Sequence, residues 1–173
     1  MSTTNLNIQA TQLTGLERLE RFEQQQQREG MADNLDYRIE DYAPGKVSLS
    51  YTPKARHMNL LGSLHGGVLA SLLDTAMGCA VMTLLEVGER HTMTDLNCKF
   101  IRAVFTADHE TDSQSQKQSS DAMHTIEEAP TQERLNIHAH VDHSGRRLLS
   151  TESTIVNAKG QLIAKAMASA IRL

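Results

Sequence analysis

The 173-residue sequence contains no tryptophan, and aromatic residues make up only 3% of it. Its core must therefore be packed from Leu, Ile, Val, Met and Ala, although the length suffices for one domain with a real core. Cysteine is nearly absent as well: Cys79 and Cys98 both fall in apolar-patterned segments. Two buried thiols fit a reducing compartment better than a disulfide scaffold. Nor is there any block rich in Lys and Arg, and the net charge is −4 with pI near 6.0. That argues against a nucleic-acid binder, which carries a basic footprint. Met1 to Ala10 is polar and lacks a basic stretch followed by an apolar one. No signal peptide is predicted, and a cytoplasmic protein is the expectation.

What is present begins with one long apolar stretch. From Gly66 to Leu85 the only charge is Asp74. A central Asp in a membrane span costs roughly 2.5–3.5 kcal/mol, no second span accompanies it, and Gly66, Gly67 and Gly78 interrupt it. The segment reads as a helix buried within a folded domain. Leu69, Leu72, Leu73, Ala76, Met77, Ala80, Val81 and Leu84 follow helical spacing. Beside that stripe runs a flank of small residues, Gly67, Ala70, Ser71 and Gly78, and Asp74 lies on it.

The remaining chain divides simply. Leu13 to Arg28 is a short amphipathic helix on Leu16, Leu19 and Phe22, ended by Gly30. Leu35 to Tyr51 alternates as strands do, split at Ala43-Pro44-Gly45. Thr92–Val104, Leu135–His143, Leu148–Asn157 and Leu162–Ile171 read as strands, with turns at Ser144-Gly145 and Lys159-Gly160. The order predicts an α+β domain, an antiparallel sheet wrapped around one long helix. Residues 106–132 hold six acidic residues against one lysine, with many Ser and Gln. They are too polar for the core, and read as a mobile insertion between strands or a lid over a groove. The expected organisation is a polar segment with a short helix at 1–34, then a domain at 35–173 carrying this insertion.

Chemistry concentrates at Asn59 and at His65-Gly66-Gly67, followed by Asp74. Glycines at a helix start permit close approach, and the first helical N–H groups are unsatisfied and favour negative charge. That equips the loop as an oxyanion hole. Asp74 is the lone carboxylate of an apolar helix, and burying it unpaired is costly. A desolvated carboxylate suits a nucleophile or general base. Gly66 and Asp74 are eight residues apart, about 12 Å along a helix. If both serve one reacting carbonyl, they come from two chains with antiparallel helices, so the chemistry predicts a dimer.

The pattern Asn-x5-His-Gly-Gly-x6-Asp at the head of a central helix resembles the PaaI-type branch of the hotdog thioesterase superfamily. Thr94-Asp95-Leu96-Asn97 leading to Phe100-Ile101-Arg102, Val141 to Arg147, and Gly160 to Ala166 resemble its later strands. The resemblance spans about residues 35–173 without the insertion, and implies a hotdog fold and hydrolysis of an acyl- or aryl-CoA thioester. It implies that Asp74 attacks the thioester carbonyl or activates water, and that the Gly66 N–H polarises the thioester oxygen. Asn59 would hold the carbonyl or the water, and His65 would support the loop. Gly67, Thr92, Thr94, Arg102, Arg146 and Arg147 are the candidate substrate-binding residues, the arginines for CoA phosphates. Coenzyme A enters as part of the substrate, with no metal or prosthetic group, and the expected assembly is a homodimer, paired into a homotetramer. Three departures stand out. Some relatives carry a hydroxyl where this chain has Gly78, and others a serine where it has Met93. Ala103 replaces a customary proline.

Other readings stay open. A non-catalytic acyl-CoA-binding hotdog module would leave Asp74 a structural residue, and a hotdog dehydratase would pair its acidic residue or histidine differently. His138-Ala-His140-Val-Asp142-His143 matches a zinc-hydrolase ligand pattern. Catalytic zinc would need further ligands downstream, and no histidine follows His143. His138, His140 and Asp142 would nonetheless share one strand face. The acyl group itself, aryl, short or medium, is not encoded legibly, since one methylene is worth only about 1–3 kcal/mol of discrimination.

Overall fold

The computed structural model describes residues 12–24, 28–105 and 134–173; the whole of the polar insertion predicted at 106–132 lies outside the described residues, as do residues 1–11. Helix α1 (Gly15–Glu23) and a short α2 (Met31–Leu35) precede a hairpin of β1 (Arg38–Ala43) and β2 (Lys46–Tyr51). The long helix α3 (Gly66–Met82) follows, then β3 (His91–Met93), β4 (Asn97–Phe100), β5 (Leu135–Ser144), β6 (Leu148–Val156) and β7 (Leu162–Arg172). All strand pairs are antiparallel, in the order β1-β2-β5-β6-β7-β3, with β4 also paired to β7. The sheet packs around α3, which contacts β2, β3, β5, β6 and β7. This is the hotdog arrangement expected from the sequence.

The buried face of α3 is Leu69, Leu72, Leu73, Ala76, Met77, Ala80 and Val81, the stripe that the spacing predicts. It meets Val47, Leu49, Leu135, Ile137, Ala139, Ile155 and Ile163 from the sheet. Aromatics contribute only Tyr37 and Tyr51 to the fully buried core. Among the described residues no helix is long and apolar enough to cross a membrane. The helix stops at Thr83, whose buried hydroxyl donates to the Ala80 carbonyl at 2.7 Å and accepts the Gly45 N–H at 2.7 Å. One side chain thus ends the helix and pins the β1–β2 turn to it.

Helix α1 begins with a capping box: Glu17 N–H donates to Thr14 Oγ1, and Thr14 N–H donates back to the Glu17 carboxylate at 2.7 Å. Its Gly15 N–H donates to the Leu85 carbonyl at 2.8 Å. A Cβ on Gly15 would stand 1.6 Å from the Met82 carbonyl oxygen. Since that neighbour is backbone, the Gly15→Ala variant is expected to lift α1 away from α3. Exposing Leu19 and the packed part of Phe22 costs about 2–4 kcal/mol, read as a lowered denaturation midpoint with faster proteolysis near residue 24.

Two sequence readings are corrected. Leu35 closes α2 instead of opening a strand, because Asp36 takes a left-handed conformation (φ 55°) and donates its N–H to Ala32. Ala32 and Leu35, three apart, are both buried, which gives the helix its reason. The single strand expected over Thr92–Val104 is two short ones. Asp95 accepts the Ser169 N–H through its side chain at 3.1 Å, replacing a backbone carbonyl in the ladder. The chain beyond Phe100 leaves the regular pattern, with Ile101 and Arg102 both donating to the Ile163 carbonyl. The three long strands β5–β7 fall where the alternation places them, to within a residue or two.

Candidate active site

Helix α3 starts from a loop that is tied down at every turn. Asn59 Oδ1 accepts the N–H groups of Leu61 and Ser63, and its Nδ2 donates to Ser63 Oγ at 2.9 Å. Leu64 donates to the Val104 carbonyl at 2.7 Å, and His65 to the His57 carbonyl at 3.0 Å. His57, which the sequence reading passed over, is buried and joined to the Tyr51 hydroxyl at 2.7 Å through Nδ1. Its only sequence signal is proximity to the Asn59 loop.

The histidine at the helix entrance acts as a cap. His65 Nδ1 accepts the Gly67 N–H at 2.8 Å, and its carbonyl accepts Val68 and Leu69. Gly67, expected to bind substrate, has its N–H engaged inside the protein. Among the described residues the Gly66 N–H meets no acceptor. One donor is thus left at the positive end of α3. Phe100 lies on the Cα side of Gly66, where a Cβ would be 3.2 Å from its ring.

Two turns along, Asp74 is half-buried and has no hydrogen-bond partner among the described residues. Burial raises its carboxyl above the usual aspartate range. Its charge also reaches two thiols. Burial, then Glu23 and Asp74, push Cys79 up to about 12, and burial with Asp74 raises Cys98. Both thiols are therefore held protonated, and neither competes as a nucleophile. Among the described residues of one chain nothing joins Asp74 to the Gly66 N–H.

The expected accessory residues separate. Met93 packs into the core while Thr92 and Thr94 are exposed, and Thr94 Oγ1 donates to the Ser169 carbonyl. The side opposite Gly78 is taken instead by His91, whose Nε2 lies 3.5 Å from where a Cβ on Gly78 would stand. Arg102 is exposed beside Ile163 at the start of β7, whereas Arg147 accepts the Arg172 N–H through its backbone carbonyl at the other end. Nine strand residues separate them, about 30 Å, so Arg102 cannot share one phosphate group with Arg146 and Arg147 of the same chain. The His138–His143 motif lies on β5 with Leu135, Ile137 and Ala139 turned inward to α3. Its polar side chains occupy the opposite, outer face of the sheet, away from Asp74.

Exposed apolar side chains crowd the rim of this site. Leu60 and Leu61 protrude from the Asn59 loop, Phe105 bridges to Ser63, Phe100 stands beside Gly66, and Ile101, next in the chain, is also exposed.

The sequence profile of the Thioesterase superfamily matches residues 61–110. No curated protein matches the chain. Among solved structures, the PaaI protein of the E. coli phenylacetic acid degradation operon is similar with TM-score 0.67 and 20% identity, over 92% of this chain and 91% of that one. Zebra fish thioesterase superfamily member 2 gives TM-score 0.66 and 24% identity, over 92% and 98%. A hypothetical thioesterase from Streptococcus pneumoniae TIGR4, solved with coenzyme A, gives 0.61 and 20%, over 79% and 85%. The chain thus has the fold of the PaaI-type hotdog thioesterases and carries, over residues 61–110, the sequence signature of the thioesterase superfamily.

Proposed function

We propose that the protein hydrolyses an acyl- or aryl-coenzyme A thioester to the free acid and coenzyme A, in a site shared between two copies of the chain. The observation that carries this reading is a half-buried Asp74, two turns from a helix start, where neither its carboxylate nor the Gly66 N–H has a partner among the described residues. The thioester oxygen accepts that N–H, which strengthens as negative charge develops there. Asp74 either takes a proton from water as the water oxygen attacks the carbonyl carbon, or attacks that carbon itself. In the first route the tetrahedral intermediate collapses by breaking C–S, and the thiolate recovers the proton from Asp74. In the second, an acyl anhydride forms with loss of the thiolate, and water cleaves it.

The distance of about 12 Å between the two groups along one helix calls for Gly66 of one copy and Asp74 of the other. The exposed Leu60, Leu61, Phe100, Ile101 and Phe105 around the site suit burial against a second copy. Coenzyme A in the structurally similar pneumococcal protein supports the choice of thiol, and Arg102, Arg146 and Arg147 are the candidate phosphate contacts.

The test is release of free thiol from a panel of acyl- and aryl-CoAs by the purified protein. Turnover of at least one member is expected, declining in acid as Asp74 gains its proton, with a midpoint above that of an ordinary aspartate. Binding of acyl-CoA without any thiol release would instead make the protein a non-catalytic binder.

A further inference from the structure

The outer face of the sheet holds a second group of chemically competent side chains, which the hydrolytic site does not use. His140 on β5 stands directly across from Glu152 on β6. Asp142 follows two residues later, so a regular strand would carry it past that pair. The register shifts between Val141 and His143, however, leaving Asp142 without a cross-strand partner. A bulge of this kind re-aims its side chain. Asp142 Oδ1 consequently lies 2.7 Å from His140 Nε2. One ligand atom from each of His140, Asp142 and Glu152 lies within 4.8 Å of the others.

We infer that His140, Asp142 and Glu152 form a binding site for one divalent transition-metal ion of the zinc class, clamping β5 to β6 on the face remote from Asp74. One imidazole and two carboxylates suit such an ion, whose bonds of about 2.0–2.2 Å place neighbouring ligand atoms roughly 3.3 Å apart in a tetrahedral site. The trio needs only small rotations to reach that spacing. His140 and Asp142 are 50% and 37% exposed, so the side chains can turn and an ion can enter. Remaining coordination positions face solvent and take water. His138 shares the face but is held by Ser48 Oγ at 3.0 Å, and is not a ligand. Met167, exposed across from Glu152, walls the site on its β7 side. This site does not depend on the thioesterase reading.

The experiment is titration of the metal-free full chain with zinc chloride by calorimetry, with thermal melts at each end point. The chain has eight histidines, so the comparison with variants decides. Even groups that only support a metal ligand are worth roughly 10–100-fold in affinity. Glu152→Gln and His140→Ala are therefore each expected to weaken the tightest site by at least ~10-fold and to abolish its rise in Tm, whereas His138→Ala leaves both unchanged. Equal zinc binding by wild type, Glu152→Gln and His140→Ala would overturn the proposal and reduce the trio to a surface ion pair. So would the absence of any zinc-induced rise in the wild-type Tm.

Discussion

Replacing Asp74 by asparagine is expected to abolish thiol release and, at neutral pH, to raise the melting temperature. The two effects have one physical source. Burial holds the Asp74 carboxyl above its ordinary value of 3.8, so the folded chain keeps this proton at pH values where the unfolded chain has already lost it. Between 3.8 and the folded value the native state binds more protons, and stability falls as pH rises through that window. At neutral pH the full cost of the desolvated charge is present. Asparagine keeps the shape and removes the charge, relieving that cost while removing nucleophile and base together. A loss of several orders of magnitude in kcat fits the removal of a group central to catalysis. Thermal melts and thiol assays on the same preparations check both halves. A variant that is inactive and also less stable would mean that Asp74 is held by a partner, as a structural residue would be.

The second large effect is expected from Gly66→Pro, which deletes one N–H group with little disturbance of the helix. Gly66 is the first residue of α3, where proline is tolerated because that N–H has no intrahelical partner. His65 before it has φ −63° and ψ 133°, the extended region that proline demands of its predecessor. The ring would press on Phe100, which is half exposed and can yield. Loss of a single oxyanion donor typically costs about 10²–10³ in kcat. Gly66→Ala keeps the donor and meets the same ring, so it serves as the steric control and is expected to retain most activity. Equal losses in both variants would assign the effect to Phe100 and not to the N–H.

A pH effect on the fold itself is expected from the loop beneath the site. The His57 imidazole is held below its usual value by burial, then by the Arg56 and Lys54 charges. As pH falls below about 6.5 the unfolded chain takes up this proton before the native one, so stability declines with acid toward the lower folded value. The denaturant midpoint of wild type should fall more steeply between pH 7 and 5 than that of His57→Asn.

Much of this architecture is legible in the sequence because its signals are long. Alternation over ten or so residues places β5, β6 and β7, and the aliphatic stripe from Leu69 to Val81 places α3 and its buried face. Asp74 stands out for the same reason, as one charge in an apolar run. The signals that fail are short or depend on distant contacts. Asp95 interrupts a strand because its carboxylate reaches Ser169, seventy-four residues away, and no local pattern records that. Asn59 and His65 are visible as polar groups near a helix start. Only the structure shows Asn59 engaged with Leu61 and Ser63, and His65 capping Gly67. The three arginines look equivalent in sequence, yet Arg102 lies a strand length from the other two.

The shared site is tested most directly by subunit mixing. Asp74→Asn and Gly66→Pro chains, each inactive alone, would be co-expressed with different tags and the mixed dimers assayed for thiol release. In a two-fold dimer whose sites draw Asp74 from one chain and Gly66 from the other, each mixed dimer keeps one intact site. A random one-to-one mixture should then recover about a quarter of wild-type activity, and purified mixed dimers about half. Mixed dimers as inactive as their parents would contradict the account, because Asp74 and Gly66 would then have to act within a single chain.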